Sequence, residues 1–308
     1  MATRLSLLDV AKLNGADKEV GLIEEVLTSA PEVANFPYRT ITGTSFSTVT
    51  RVSLPTVSFR LANDGVDPSK SEFVRKLVQA YIMGGRVEAD KAVALAYEDG
   101  VEAYEMIEAL GTMKAAMIEI GSQIWYGTDN EANGFPGIKA ALPFTAGVAD
   151  GSVINATGTT ATTASSVYAV KYGAQDVILI GGNGSVPTLG EFRDETITGE
   201  NSKDMPGRVA DLIGWIGLQI GNINCVRRVA NLTAESGKGL TTDLLDDILN
   251  SFPVGVRPDA LYMSRRSRLQ LKKDLATPER PTVSLPTEYD GVPIIATDSI
   301  LNVDAIES

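Results

Sequence analysis

The sequence predicts an α+β fold arranged around one long helix, and three observations predict it. The stretch VEAYEMIEALGTMKAAMIEIGSQIWY between Gly100 and Gly127 places Ile107, Leu110, Met113, Met117, Ile120 and Ile124 at intervals of three and four, the spacing of one helix face. Residues 36–70 are rich in Thr, Ser and Val and poor in Ala and Leu, the composition of strands. Beyond residue 236 helical and strand patterns alternate, ending at Asp290-Gly291, a dipeptide that closes hairpins. The helix would be about 40 Å long at 1.5 Å per residue, far above the usual length of roughly 11–12 residues. That length suits a spine with sheets packed on it. Its predicted core residues are Ile107, Leu110, Met117, Ile124 and Trp125. Gly111 and Gly121 each weaken it by roughly 1 kcal/mol relative to Ala, and Gly127 is its C-terminal stop.

In chain order, residues 1–35 read as an arm. Ser6 to Leu13 predicts a short helix ended by Asn14-Gly15, and Asp17 caps a second over KEVGLIEEVLTSA, closed by Pro31. The apolar face of the second helix (Val20, Ile23, Val26, Leu27) has no core of its own to lie on. In residues 36–70, Ile41, Val49, Val52, Leu54, Val57, Phe59 and Leu61 mark two β-like runs broken at Pro55. A lone two-stranded hairpin is marginal in water, so this excursion needs a neighbour. Residues 71–98 carry a helical pattern in SEFVRKLVQAYIM and EADKAVALAY on either side of Gly84-Gly85. TDNEANGFPGI after the spine is turn-rich, and 151–166 is a polar loop. SSVYAVKYGAQDVILIGG, broken at Gly173, and WIGLQIGNINCVRRVANL are strand candidates flanking a loop-rich stretch. TTDLLDDILNSF is a helix capped by Thr242 or Asp243, PDALYMS a strand, RRSRLQLKKDL a helix capped by Ser264, and EYDGVPIIATDSI a strand pair.

Composition removes whole classes of function. A chain of 308 residues with net charge −12 has no general attraction for nucleic acid. It has no histidine, which eliminates His-based proton transfer and His metal ligands. Cys225 is the one cysteine and sits in a strand-like run, where it reads as a buried, inert thiol. No apolar run is long enough for a membrane span, and the first residues do not form a signal peptide. LIGGNGSVPTLG fails the dinucleotide pattern because Pro187 stands where the third glycine belongs. DNEANG lacks the Glu that closes a calcium loop, Ala140 being in that place. Asp243, Asp246 and Asp247 share a helical turn without further ligands, and Arg265, Arg266, Arg268, Lys272 and Lys273 read as a partner-facing or solvated face. No catalytic, cofactor or metal site is predicted.

The order of arm, β-excursion, spine, GFPGI loop, sheet, and helix-strand-helix-hairpin resembles the major capsid proteins of tailed double-stranded-DNA bacteriophages, with the Hong Kong-phage capsid fold. The residues that carry the resemblance are MKAAMIEIGSQIWYGTDNEANGFPGI, Met113 to Ile138, with PDALYMSRRSRLQL and EYDGVPIIATDSI. The resemblance implies an N-terminal arm over 1–35, an extended loop over 36–70, a peripheral domain over 71–235 with its spine at 100–127, and an axial domain over 236–308. In many members the long peripheral strands follow the axial domain; here the candidates precede it, as in a variant subfamily. The implied function is a major capsid protein that self-assembles into an icosahedral shell of pentamers and hexamers enclosing the viral DNA. An encapsulin-like compartment around a cargo enzyme is the alternative. Implied partners are further copies of the chain, a separate scaffolding protein, a portal protein and packaged double-stranded DNA held non-specifically, with no membrane and no cofactor. The place is the virion, assembled in the bacterial host cytoplasm. Tyr38, Arg39, Arg51 and Arg60 are the expected inter-subunit residues of the loop. Arm and hairpin are both expected to lie on neighbouring subunits. Phe36 to Ser69 contains no lysine, so no Lys–Asn cross-link through the loop is expected.

Overall fold

A computed structural model of the chain describes residues 4–14, 28, 30–144, 151–184, 186–199, 201–276 and 282–307. The spine, α4, runs Val101–Tyr126 between Gly100 and Gly127. Both end glycines have positive φ, 94° and 58°, a region in which an L side chain is strained.

Before the spine come α1 (Leu7–Leu13), α2 (Glu32–Asn35), β1 (Tyr38–Thr40), β2 (Ser45–Ser53), β3 (Glu72–Gln79), β4 (Tyr81–Asp90) and α3 (Lys91–Ala94). After it come α5 (Ile138–Ala141), β5 (Val153–Asn155), β6 (Ser165–Val170), β7 (Val177–Gly181), β8 (Thr188–Leu189), β9 (Arg193–Thr198), β10 (Asp204–Ile220) and β11 (Val226–Leu232). The chain then makes α6 (Thr242–Asn250), β12 (Ala260–Met263), α7 (Arg265–Asp274), β13 (Glu288–Tyr289) and β14 (Val292–Ala296).

Two sheets form. In the first, β10 pairs antiparallel with β4 along one edge and with β9, β8 and β7 in succession along the other, and β1 joins β7 in parallel. The second runs β13-β14-β12-β6-β11-β5. Its central strand β6 is buried on both faces: Tyr168 and Val170 enter the core shared with the first sheet, while Val167 and Ala169 meet α6 and α7 through Leu245, Ile248 and Leu271. Two-sided burial is why β6 shows no apolar–polar alternation. The C-terminal half of α4 lies in the shared core, where Ile120, Ile124, Trp125 and Tyr126 meet Phe36, Leu179, Leu218, Val226 and Tyr262. Trp125 stacks on Tyr168 with centroids 4.9 Å apart.

Several expectations are corrected. Residues 71–83 are strand, not helix: β3 pairs with β2 from Ser45↔Gln79 to Ser53↔Glu72, and Gly84-Gly85 lie inside β4, where Gly85 packs on Leu212. Phe73, Val74, Leu77 and Val78 fit either period; the partner strand decides. The loop-rich stretch before Trp215 contains β8, β9 and the first part of β10. These strands carry ion pairs such as Arg193–Asp211 (2.5 Å) and Arg208–Glu105 (2.6 Å), so no apolar alternation announced them. Helix α6 is capped by Thr241, one residue earlier than expected.

On the spine, Ile124 and Trp125 are buried and Ile107 is half-buried, but Leu110 and Met117 are 66% and 49% exposed. The N-terminal half of α4 turns a different stripe inward, with Tyr104 and Glu105 buried against α3 and β10. The arm's first helix, α1, lies on its own chain: Val10 is buried with Ala89, Val93, Ala94 and Tyr104, and Arg4 pairs with Glu88. The predicted second arm helix lies outside the described residues. The second sheet takes β5, β6 and β11 from 151–232, so a division at residue 235 does not follow the sheets.

Candidate assembly interface

Among the described residues, the ribbon β2–β3 and its tip carry a long run of exposed apolar side chains. The ribbon forms a separate two-stranded sheet. Along it Val49, Val52, Leu54, Val57, Phe59, Leu61, Phe73 and Leu77 are exposed. Contiguous exposed apolar surface on a soluble chain marks a contact site, and a two-stranded ribbon lacks a layer to bury its own face. At about 3.3 Å per residue, the nine residues of β2 reach some 30 Å from the body.

The expected loop residues divide between root and ribbon. Tyr38 and Arg39 stand at the root, in β1 against β7. The Arg39 guanidinium lies 4.7 Å from the Phe46 ring centroid, and its Nη2 donates to Gln219 Oε1 at 3.3 Å. Burial pushes the Tyr38 phenol above its ordinary value. Arg51 sits on the ribbon over Phe73 at 5.3 Å, and Arg60 at the tip donates to the Asp64 carbonyl at 2.8 Å. Sequence reasoning missed Arg75 and Lys76, because it read their segment as helix, and it missed Lys70, the last residue of the expected loop, because the lysine survey stopped at Ser69. The loop as built therefore does contain lysines, and the ground for expecting no Lys–Asn cross-link is removed. Between Ile41 and Ala80 lie Arg51, Arg60, Lys70, Arg75 and Lys76 against Asp64, Asp67 and Glu72. The loop is thus net basic on a chain of charge −12.

The root is held by the glycine-rich turn that imitates a dinucleotide motif. Asn183 N donates to the Gly43 carbonyl and Gly184 N to that of Ile41, each at 2.8 Å, while Ala80 N donates to Thr44 O at 2.8 Å. Asn183 and Gly184 both have positive φ; the turn seats the loop.

The spine's end is closed by a second glycine contact. Gly127 and Gly137 lie back to back: a Cβ on Gly127 would overlap Gly137 N and stand 2.8 Å from Gly137 Cα and 2.9 Å from Pro136 C. The GFPGI segment is turned under the helix end, where Gln123 Nε2 donates to the Phe135 carbonyl at 2.8 Å.

The basic stretch on α7 is largely internal bracing. Arg265 pairs with Asp298 at 2.6 Å, Arg266 donates to the Thr163 and Leu232 carbonyls at 2.8 and 2.9 Å, and Arg268 to Pro286 O at 2.8 Å. Asp246 accepts from the Tyr289 hydroxyl at 2.7 Å. Cys225 is buried, and burial pushes its thiol up to about 11. No helix among the described residues is long and apolar enough to cross a membrane.

The sequence model of a family described as "Major capsid protein GP7" matches residues 16–306. No curated protein matches the chain. Among solved structures, the chain is similar to one from bacteriophage Epsilon15, with 17% identity, TM-score 0.79, and 100% of this chain and 98% of that one covered. It is also similar to the bacteriophage JBD30 capsid, with 13% identity, TM-score 0.50, and coverage of 90% and 93%. These likenesses show a shared fold.

Proposed function

Because the chain belongs to the family of the major capsid protein GP7, it is a phage capsid protein of the virion, and we propose that the 41–80 loop clasps neighbouring subunits into a closed shell of pentamers and hexamers. The observation that carries the clasp is the ribbon: exposed Val, Leu and Phe side chains on two strands with no layer beneath them. A second copy supplies that layer. The net basic character of the loop on an acidic chain adds attraction between copies, and arginine–carboxylate pairs across the contact give it direction.

In this reading the body around α4 and the first sheet is the peripheral domain, and the second sheet with α6 and α7 is the axial domain. The role is structural, without catalysis. A chain lacking histidine and the known nucleophile and metal motifs supports this. Partners in the reading are further copies, a portal protein, a separate scaffolding protein, and packaged double-stranded DNA held without sequence preference, with assembly in the host cytoplasm. The family favours a genome over an enzyme cargo as the content.

The test is excision of the loop. Removing residues 47–77 brings Phe46 against Val78, a registered pair that an Asn-Gly turn closes. The expected variant keeps the far-UV spectrum and melting behaviour of the unassembled subunit and forms no closed particles by electron microscopy. Normal shells from the excised chain would overturn the clasp. Particles of the intact chain that hold a protein cargo and no nucleic acid would replace the genome reading.

A further inference from the structure

The segment from Ile300 to Glu307 crosses between two parts of the molecule and is bonded to both. On the second-sheet side, Ala164 and Asp304 exchange backbone hydrogen bonds at 3.2 and 3.0 Å, Ser165 Oγ donates to Leu301 O at 2.7 Å, and Asn231 holds the backbone of Glu307 at both its N–H (2.9 Å) and its carbonyl (2.8 Å). On the spine side, the Tyr126 hydroxyl donates to Asp304 Oδ2 at 3.1 Å and accepts from Leu301 N at 2.8 Å. Lys139 on α5 stands 3.6 Å from Glu307 Oε1.

The end of this segment fills a built carboxylate site. Arg228 on β11 is 2% exposed, one of the largest fully enclosed side chains. Its Nη1 and Nη2 donate to the two oxygens of Glu307 at 2.8 and 2.7 Å, a two-pronged pair. Nε and Nη2 also donate to Ser166 Oγ at 3.1 and 3.0 Å. A guanidinium so enclosed requires a counter-charge, because water cannot reach it. Among the described residues, Glu307 is the carboxylate within ion-pair distance of it. Beside the pair lies a cleft of about 380 Å³ lined by Tyr126, Lys139, Phe144 and Arg228.

We propose that residues 300–307 are a strap whose Glu307 is gripped at its carboxylate by Arg228 and Lys139 and at its backbone by Asn231, and that this grip locks the end of the spine helix and α5 onto the second sheet. The shared core already joins the two parts at this junction. The buried pair sets one position for it, since any slip of the strap strands a charge.

The test is amide hydrogen exchange on the full chain. Glu307→Ala is expected to speed exchange at least tenfold in 126–139 and 226–231 and to leave β4 and β10 unchanged. Arg228→Met combined with Glu307→Ala removes the stranded cation and is expected to bring 226–231 back to within threefold of the parent, while 126–139 stays fast because the strap is still ungripped. Unchanged exchange in Glu307→Ala would overturn the proposal. So would a uniform rise that includes β4 and β10, since that is general destabilisation and not a lock. The measurement is independent of shell formation, so its failure is distinct from a failure of the capsid reading.

Discussion

The same substitution at two glycines of the spine should act with opposite sign. Gly127→Ala places a methyl at φ 58°, ψ −126°, where side-chain-bearing residues carry a strain of about 1–3 kcal/mol. The methyl also overlaps Gly137 N and presses on Gly137 Cα and Pro136 C, all backbone atoms that no rotamer change can move away. Overpacking of this kind adds about 1–3 kcal/mol. Together the loss is about 2–6 kcal/mol, a large part of the roughly 5–15 kcal/mol that holds a domain folded. Gly111→Ala puts the same methyl into open space on an exposed turn of the same helix. There it should stabilise by up to about 1 kcal/mol through helix propensity. Urea unfolding of the unassembled subunit, followed by tryptophan fluorescence of Trp125, measures both. With a slope of about 3 kcal/mol/M, Gly127→Ala should lower the midpoint by about 0.7 M or more. A midpoint for Gly127→Ala within about 0.3 M of the parent would refute the back-to-back packing of the two glycines.

Asp304 is pushed above its ordinary value of 3.8, first by burial. A raised carboxyl contributes stability below that ordinary value and loses it as pH rises through the folded value, so Asp304→Asn, which can still accept from Tyr126, should raise the urea midpoint at pH 8 more than at pH 4; a fall at pH 8 would count against it. Asp9 is held at about 2, chiefly by the Ser6 backbone N–H, and Glu88 is lowered, chiefly by Arg4. Both are depressed, so their contribution is present above the ordinary values of 3.8 and 4.5 and is lost as pH falls through the folded values; amides of 7–14 should lose protection between pH 4.5 and 2 before those of β10 do. Cys225, with its thiol at about 11 and buried, should resist iodoacetamide at pH 8 in the folded chain and react fully in urea; rapid native labelling by mass spectrometry would contradict its packing.

What the sequence by itself determined was local. Gly100 and Gly127 bound the spine because helix ends require particular backbone angles of the residues at those places. Ser264 caps α7 and Asp290-Gly291 turns β13 into β14 with φ of 47° and 71°, for the same kind of reason. The exposed loop was legible in its first strand and the stretch after it, where Val49, Val52, Leu54, Val57 and Phe59 stand among polar and β-branched residues; its tip residue Arg60 was placed with it.

Tertiary structure decided what depends on partners distant in the chain. The return strand β3 has a pattern compatible with helix, and pairing with β2 across the tip made it strand, bringing Arg75 and Lys76 into the loop. Which stripe of α4 turns inward was decided by where the two sheets contact it; Leu110 and Met117 continue the periodic stripe past the end of the shared core, and the periodicity carries no record of that end. Arg228 stands in a predicted strand and Glu307 beyond the last predicted one, and neither is marked by a motif. Only the fold closes the 79 positions between them and encloses the guanidinium. Helix ends and turns are settled by the backbone angles of neighbouring residues. Strand pairing, burial of a helix face and the pairing of a buried charge are settled by what is packed opposite, which no local pattern specifies.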